Sequence, residues 1–128
     1  CTRAFRQLLE AGGGGTVVNI SSVAGVTGVG SNVAYCASKA AVDCMTRSLG
    51  RALAPRIRVV SVSPGWVPGE YAAKSVSPEF LQAQIDATPL RRLGTPADVG
   101  AAVWAAHKYL VLTTGTIVPV DGGRPLGS

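Results

Sequence analysis

Two β-branched strands enclosing a long helical stretch constrain this chain more than any other feature. Thr16-Val17-Val18-Asn19-Ile20 is short and β-branched, and Gly12-Gly13-Gly14-Gly15 turns the chain just before it. From Asn32 to about Leu53 the pattern predicts a helix, which Pro55 ends. Ile57-Arg58-Val59-Val60-Ser61-Val62 then reads as a second strand. Its near-continuous apolar character fits a parallel strand covered on both faces.

The flanking segments extend the alternation. Thr2 to Ala11 reads as the end of an amphipathic helix with Phe5, Leu8 and Leu9 on one side. Ser21 to Ser31 is expected to be a loop, rich in Gly and Ser. Ser63-Pro64-Gly65-Trp66-Val67-Pro68-Gly69 is expected to be a loop that cannot continue the strand. Ser77 caps a short helix with Pro78 at its first position. Thr95 and Asp98 stand at capping-box spacing and open another helix, running to about His107. Thr116-Ile117-Val118-Pro119-Val120 is a last strand, ended by Asp121-Gly122-Gly123. Strands separated by helices imply right-handed crossovers, hence an α/β fold with a parallel sheet and helices on both faces.

Composition removes several function classes. The chain has 128 residues, enough for one domain with a real core. With 47% hydrophobic and 15% charged residues it is globular rather than disordered. No apolar run reaches membrane-spanning length, so no membrane partner is expected. Cys1-Thr2-Arg3-Ala4-Phe5-Arg6 does not read as a signal peptide, since no apolar core follows its charges. The net charge of +5 is scattered over the chain, with no basic run interleaved with aromatics, so nucleic acid is not an expected partner. An anionic cofactor or substrate suits that charge equally well. The three cysteines are odd in number and form no CxxC, which suggests neither a disulfide framework nor a metal site. Cys36 and Cys44 are expected to be small buried packing residues in a reducing, cytoplasmic compartment. His107, Asp43 and Asp98 are expected to be helix-surface or cap residues.

Tyr35 and Lys39 carry the chemistry. On a helix their i, i+4 spacing puts phenol and ammonium on one face. An ammonium beside a phenol favours the phenolate, which suits the phenol to general acid–base work near neutral pH. Ser22, upstream, could hold a substrate oxygen if it reaches the same point. Together the three groups suit proton transfer to or from a carbonyl or alcohol.

Four motifs in register then carry a resemblance: Val17 to Gly25 with its Ser21-Ser22 pair, Tyr35-x-x-x-Lys39, Ser63-Pro64-Gly65 and Val120-Asp121-Gly122-Gly123. In order and spacing they resemble the short-chain dehydrogenase/reductase family, over essentially the whole chain from Thr2 onward. The resemblance implies catalytic Ser22, Tyr35 and Lys39, the serine lying thirteen residues before the tyrosine. It implies NAD or NADP as cofactor, bound by Tyr35, Lys39, Pro64, Gly65 and Val67. Trp66 and Tyr71 fall in the segment that lids the substrate in that family. The long helix would pair with its mate in a dimer or tetramer.

Two departures shape the expectation. The Gly-rich turn that receives the pyrophosphate is absent, as are the residue that selects NAD or NADP and the Asn-Asn-Ala-Gly segment. Gly69 stands where the family usually has Thr. The chain is therefore expected to be the carboxyl-terminal half of such an enzyme, one partial Rossmann-like domain over residues 1–128. Its expected reaction is NAD(P)-dependent interconversion of a small-molecule carbonyl and a secondary alcohol, incomplete in this chain alone. The alternatives are a non-catalytic subunit or remnant with an assembly role, and a lyase, isomerase or epimerase on the same scaffold.

Overall fold

A computed structural model describes residues 2–69 and 76–124. Along the chain lie α1 (Thr2–Ala11), β1 (Gly15–Ile20), α2 (Ala24–Thr27), α3 (Val33–Leu53), β2 (Ile57–Pro64), α4 (Pro78–Asp86), α5 (Pro96–Lys108) and β3 (Thr116–Val120). The strands form one parallel sheet in the order β1-β2-β3. Gly15 pairs with Ile57 and Ile20 with Val62, while Val60 pairs with Thr116 and Pro64 with Val120.

Alternation along β2 shows how the layers form. Ile57 and Val59 are fully buried in a cluster with Leu53, against which Leu49 of α3, Leu9 of α1 and Val17 of β1 pack. Arg58, on the other face, donates to carbonyls at the end of α5. So α1 and α3 cover one face and α5 the other. A strand covered on both sides favours apolar residues, and β2 is apolar at five of its eight positions.

Four local expectations are corrected. Strand β2 does not stop at Val62 but runs through Ser63 and Pro64, because β3 supplies partners for both. Pro64 lacks an N–H, yet its carbonyl accepts from Val23, so a proline at the strand's last position costs little. The Ser21–Ser31 stretch is not all loop: it holds α2, which ends at Gly28 with φ 71°. Of the three apolar residues on α1 only Leu9 packs, while Phe5 and Leu8 are exposed. Cys36 is half-buried and Cys44 exposed, not buried packing residues.

Two caps are as the sequence indicates, and Asn32 adds a third that was not expected. The Asn32 side chain accepts from the Tyr35 amide at 2.8 Å and starts α3. Ser77 accepts from Phe80, and Thr95 with Asp98 forms a reciprocal capping box. Among the described residues no helix is long and apolar enough to cross a membrane, and no group of three or more His, Cys, Asp or Glu could hold a metal ion.

Candidate active site

At the carboxyl ends of β1 and β2 lies a cleft of about 780 Å³. Ser22, Tyr35, Lys39, Pro64, Gly65 and Val67 all line it, so every site residue expected from the sequence meets in one volume. Tyr71 lies outside the described residues.

Each side chain arrives by a different element. Ser22 stands two residues past the end of β1, is buried, and its Oγ accepts from the Ala24 amide at 3.2 Å as α2 begins. Tyr35 and Lys39 sit one turn apart at the start of α3, with the Lys39 ammonium 5.6 Å from the Tyr35 ring centroid. The Tyr35 hydroxyl makes no hydrogen bond to any described residue. Pro64 and Gly65 end β2, and a side chain at Gly65 would press within 2.9 Å of the Asp121 backbone.

Lys39 is fastened at three points. Its Nζ donates to the Ile20 carbonyl at 3.0 Å. Its own carbonyl accepts from Ser21 Oγ at 3.3 Å, and Ser21 is buried. Gly25 brings α2 so close that an added Cβ would stand 2.8 Å from the Lys39 carbonyl carbon. These contacts fix the end of β1, which carries Ser22, against the turn of α3 that carries Tyr35 and Lys39. Ser21 is thus a positioning residue that the sequence reading passed over in favour of its neighbour.

Asp43 is not a surface residue as expected. It lies one turn beyond Lys39 and is buried, with Ser61 Oγ donating to its Oδ1 at 3.4 Å and no described partner for Oδ2. Asn19 donates to Thr46 in the same seam between α3 and the sheet. His107 is exposed beside Trp104, as expected.

The far wall of the cleft holds Trp66, Phe80, Gln84 and Arg124. Trp66 meets Phe80 edge-on with centroids 5.7 Å apart, an arrangement that stabilises an aromatic pair. None of Phe80, Gln84 and Arg124 stands out in the sequence. The signal was available for Arg124, which directly follows the motif at the end of β3. Ligands of open α/β sheets bind beyond the carboxyl ends of the strands.

Comparison with known proteins fits this geometry. Residues 1–124 match the family described as enoyl-(acyl carrier protein) reductase. The chain is 36% identical over 126 residues to the short-chain dehydrogenase/reductase homolog YusR of Bacillus subtilis, covering 98% of this chain and 95% of that protein. A crystal structure of a putative short-chain dehydrogenase/reductase from Burkholderia xenovorans superposes with a TM-score of 0.87 at 36% identity, covering 98% of this chain and 49% of that one. The structure of a 7α-hydroxysteroid dehydrogenase complexed with NADH and 7-oxo glycochenodeoxycholic acid gives 0.85 at 30% identity, covering 95% and 49%. The chain belongs to the short-chain dehydrogenase/reductase family. It spans about half the length of several other curated relatives it matches, and it corresponds to a carboxyl-terminal half of the family's Rossmann-like domain.

Proposed function

We propose that this cleft is the proton-transfer half of an NAD(P)-dependent oxidoreductase that interconverts a carbonyl and a secondary alcohol. The supporting observation is the meeting of Ser22, Tyr35 and Lys39 in one cleft at the carboxyl end of a parallel sheet. Tyr35 gives its phenolic proton to the carbonyl oxygen in reduction and takes it back in oxidation. Ser22 donates to the same oxygen and steadies the charge that develops there. Lys39 keeps a positive charge beside that oxygen, held in place through Ile20 and Ser21.

The residues fit the nicotinamide end of a dinucleotide. Lys39 spends one of its three N–H donors on Ile20, leaving two for a ribose. Val67 lines the cleft and its amide donates to no described residue, which leaves that amide for a carboxamide. A bound nicotinamide dinucleotide would supply or accept the hydride. Pro64 and Gly65 would flank its ring. The pyrophosphate-binding turn is not part of this sequence, and none of these residues distinguishes NAD from NADP.

Pairing of α3 with its mate in a dimer or tetramer is part of the same proposal. Support comes from the outer face of α3, where Ala34, Ala37 and Ala41 are exposed and would let a second helix approach closely. The assembly-only alternative gains nothing from the relatives, which include named dehydrogenases and reductases.

The test uses the complete polypeptide that carries this chain, assayed with NADH and NADPH against a panel of ketones. Tyr35→Phe should lower kcat by about 1,000-fold, within the range for losing a general acid, while the melting temperature holds. Near-full turnover by Tyr35→Phe would sink the assignment.

A further inference from the structure

The cleft holds a charge that proton transfer does not use. Arg124 lines it at the end of β3, well along the sheet from Ser22 at the end of β1. Its position is built, not incidental. Asp121 Oδ1 accepts from the Gly123 amide at 2.8 Å, and the Arg124 amide donates to the Asp121 carbonyl at 3.2 Å. Gly122 and Gly123 take φ values of 64° and 82°, which a glycine adopts without strain. This tight turn sends Arg124 back over the cleft.

Gln84 of α4 then orients the guanidinium. Arg124 donates through one terminal nitrogen to the Gln84 carbonyl at 3.2 Å and through the other to Gln84 Oε1 at 2.7 Å. A guanidinium has five N–H donors, so three remain without a described partner. No Asp or Glu is among the described residues lining the cleft, whereas Lys39 and Arg124 both are. Trp66 and Phe80 supply an apolar surface in the same cleft. A concave site with apolar walls and a few polar anchors is what orients a small ligand.

We propose that Arg124 is a specificity-determining residue that selects carbonyl compounds bearing a carboxylate. This deepens the oxidoreductase reading and rests on it for the carbonyl end only. The carbonyl oxygen sits at Tyr35 and Ser22, the body of the substrate lies on Trp66 and Phe80, and the carboxylate takes the free donors of Arg124. A planar guanidinium already held by Gln84 meets a carboxylate with little further ordering, and charge-assisted bonds of this kind are the strong ones. A neutral ester of the same shape cannot replace them.

The experiment compares 4-acetylbenzoate with methyl 4-acetylbenzoate, again in the complete polypeptide. The native protein should show at least tenfold higher kcat/KM for the acid. Arg124→Gln should bring the ratio close to one, and Arg3→Gln, on α1, should leave it as it was. A purely structural clamp on Gln84 would lower both rates together and keep the ratio, which overturns the proposal, as does equal use of acid and ester by the native protein. If Arg124→Gln fails to fold, Arg124→Lys keeps a charge but loses the planar fork. It must narrow the preference, and an unchanged ratio overturns the proposal. Binding is read separately by isothermal titration calorimetry. There the acid should bind at least tenfold tighter than the ester, and equal binding or none by the acid overturns the proposal. Tight acid binding that depends on Arg124, with no turnover of any ketone in the panel, would sink hydride transfer and leave the anion site standing. Turnover of acid and ester alike would do the reverse.

Discussion

The two ends of the sheet use the same kinds of side chain for opposite purposes. At the amino end of β2, Arg58 is surrounded by acceptors. It donates to the carbonyls of Ala106, His107, Leu110 and Thr113 and to the Thr16 hydroxyl, at 2.7 to 3.3 Å. At the carboxyl ends, Lys39 and Arg124 each keep donors without a described partner, and so does the Tyr35 hydroxyl. Of these cations, the one whose donors are taken up ties α5 to the sheet, and the two that keep donors without a described partner line the cleft. These three cations differ in how many of their donors the fold consumes, not in the kind of donor they carry.

Arg58→Met is the strongest way to break that comparison. The substitution takes the Arg58 donors from five acceptors, four of them at or just past the end of α5, where helix carbonyls lack intrahelical partners, although the Leu110 carbonyl still accepts from the Thr113 amide. At a net worth of about 1 kcal/mol per bond, some lost bonds being recovered by water, stability should fall by about 3 kcal/mol. Urea unfolding of the complete polypeptide checks this, with kcat of the surviving folded fraction read alongside. Native-like stability with lost turnover would place Arg58 with the chemistry and erase the contrast between the ends.

Ser21→Ala sharpens the comparison at the other end. It removes one of the two reciprocal hydrogen bonds between β1 and Lys39 while leaving Ser22, Tyr35 and Lys39 in place. The bond is long, so its loss should cost about 1 kcal/mol, felt as a roughly fivefold drop in kcat with KM unchanged. A fall in melting temperature with kcat intact would make Ser21 a packing residue only.

Much of this arrangement was legible in the sequence, and what was not has a common cause. Caps are local, so Ser77 and the Thr95–Asp98 box announced the starts of α4 and α5. The meeting of Ser22, Tyr35 and Lys39 followed from helical spacing plus a motif order that matched a known family. Asp43 escaped because burial along a helix depends on which stripe meets the sheet, and Ser61 becomes its neighbour only when α3 lies on β2. The extension of β2 through Pro64 escaped because its partner Val120 is far away in sequence. Helix α2 gave no signal because it is a single turn of four residues with Val23 at its cap position. Arg58 and Arg124 looked alike among scattered basic residues, since only tertiary contacts distinguish a spent guanidinium from an unspent one.

The smallest effect lies at the start of α5, the helix whose other end Arg58 holds. Asp98 receives two hydrogen bonds from Arg92, at 2.8 and 2.9 Å, and further bonds from the Thr95 hydroxyl and amide. The Arg92 bonds first, then those from Thr95, hold its carboxyl well below the usual carboxylate range. A depressed folded-state value means that ionised Asp98 stabilises the native protein above the unfolded value of about 3.9, and that this contribution fades as the pH falls below it. The pair is solvent-exposed, so screening keeps the contribution modest and salt-sensitive. Asp98→Asn retains a side-chain acceptor for the Thr95 amide but has no proton to gain in this range. Urea midpoints measured from pH 6 down to pH 3 should therefore fall less steeply for Asp98→Asn than for the native protein, and the gap should shrink in high salt. Parallel acid limbs would show that the carboxylate end of α5 contributes nothing that titrates, leaving Arg58 as the only end of that helix whose fastening matters.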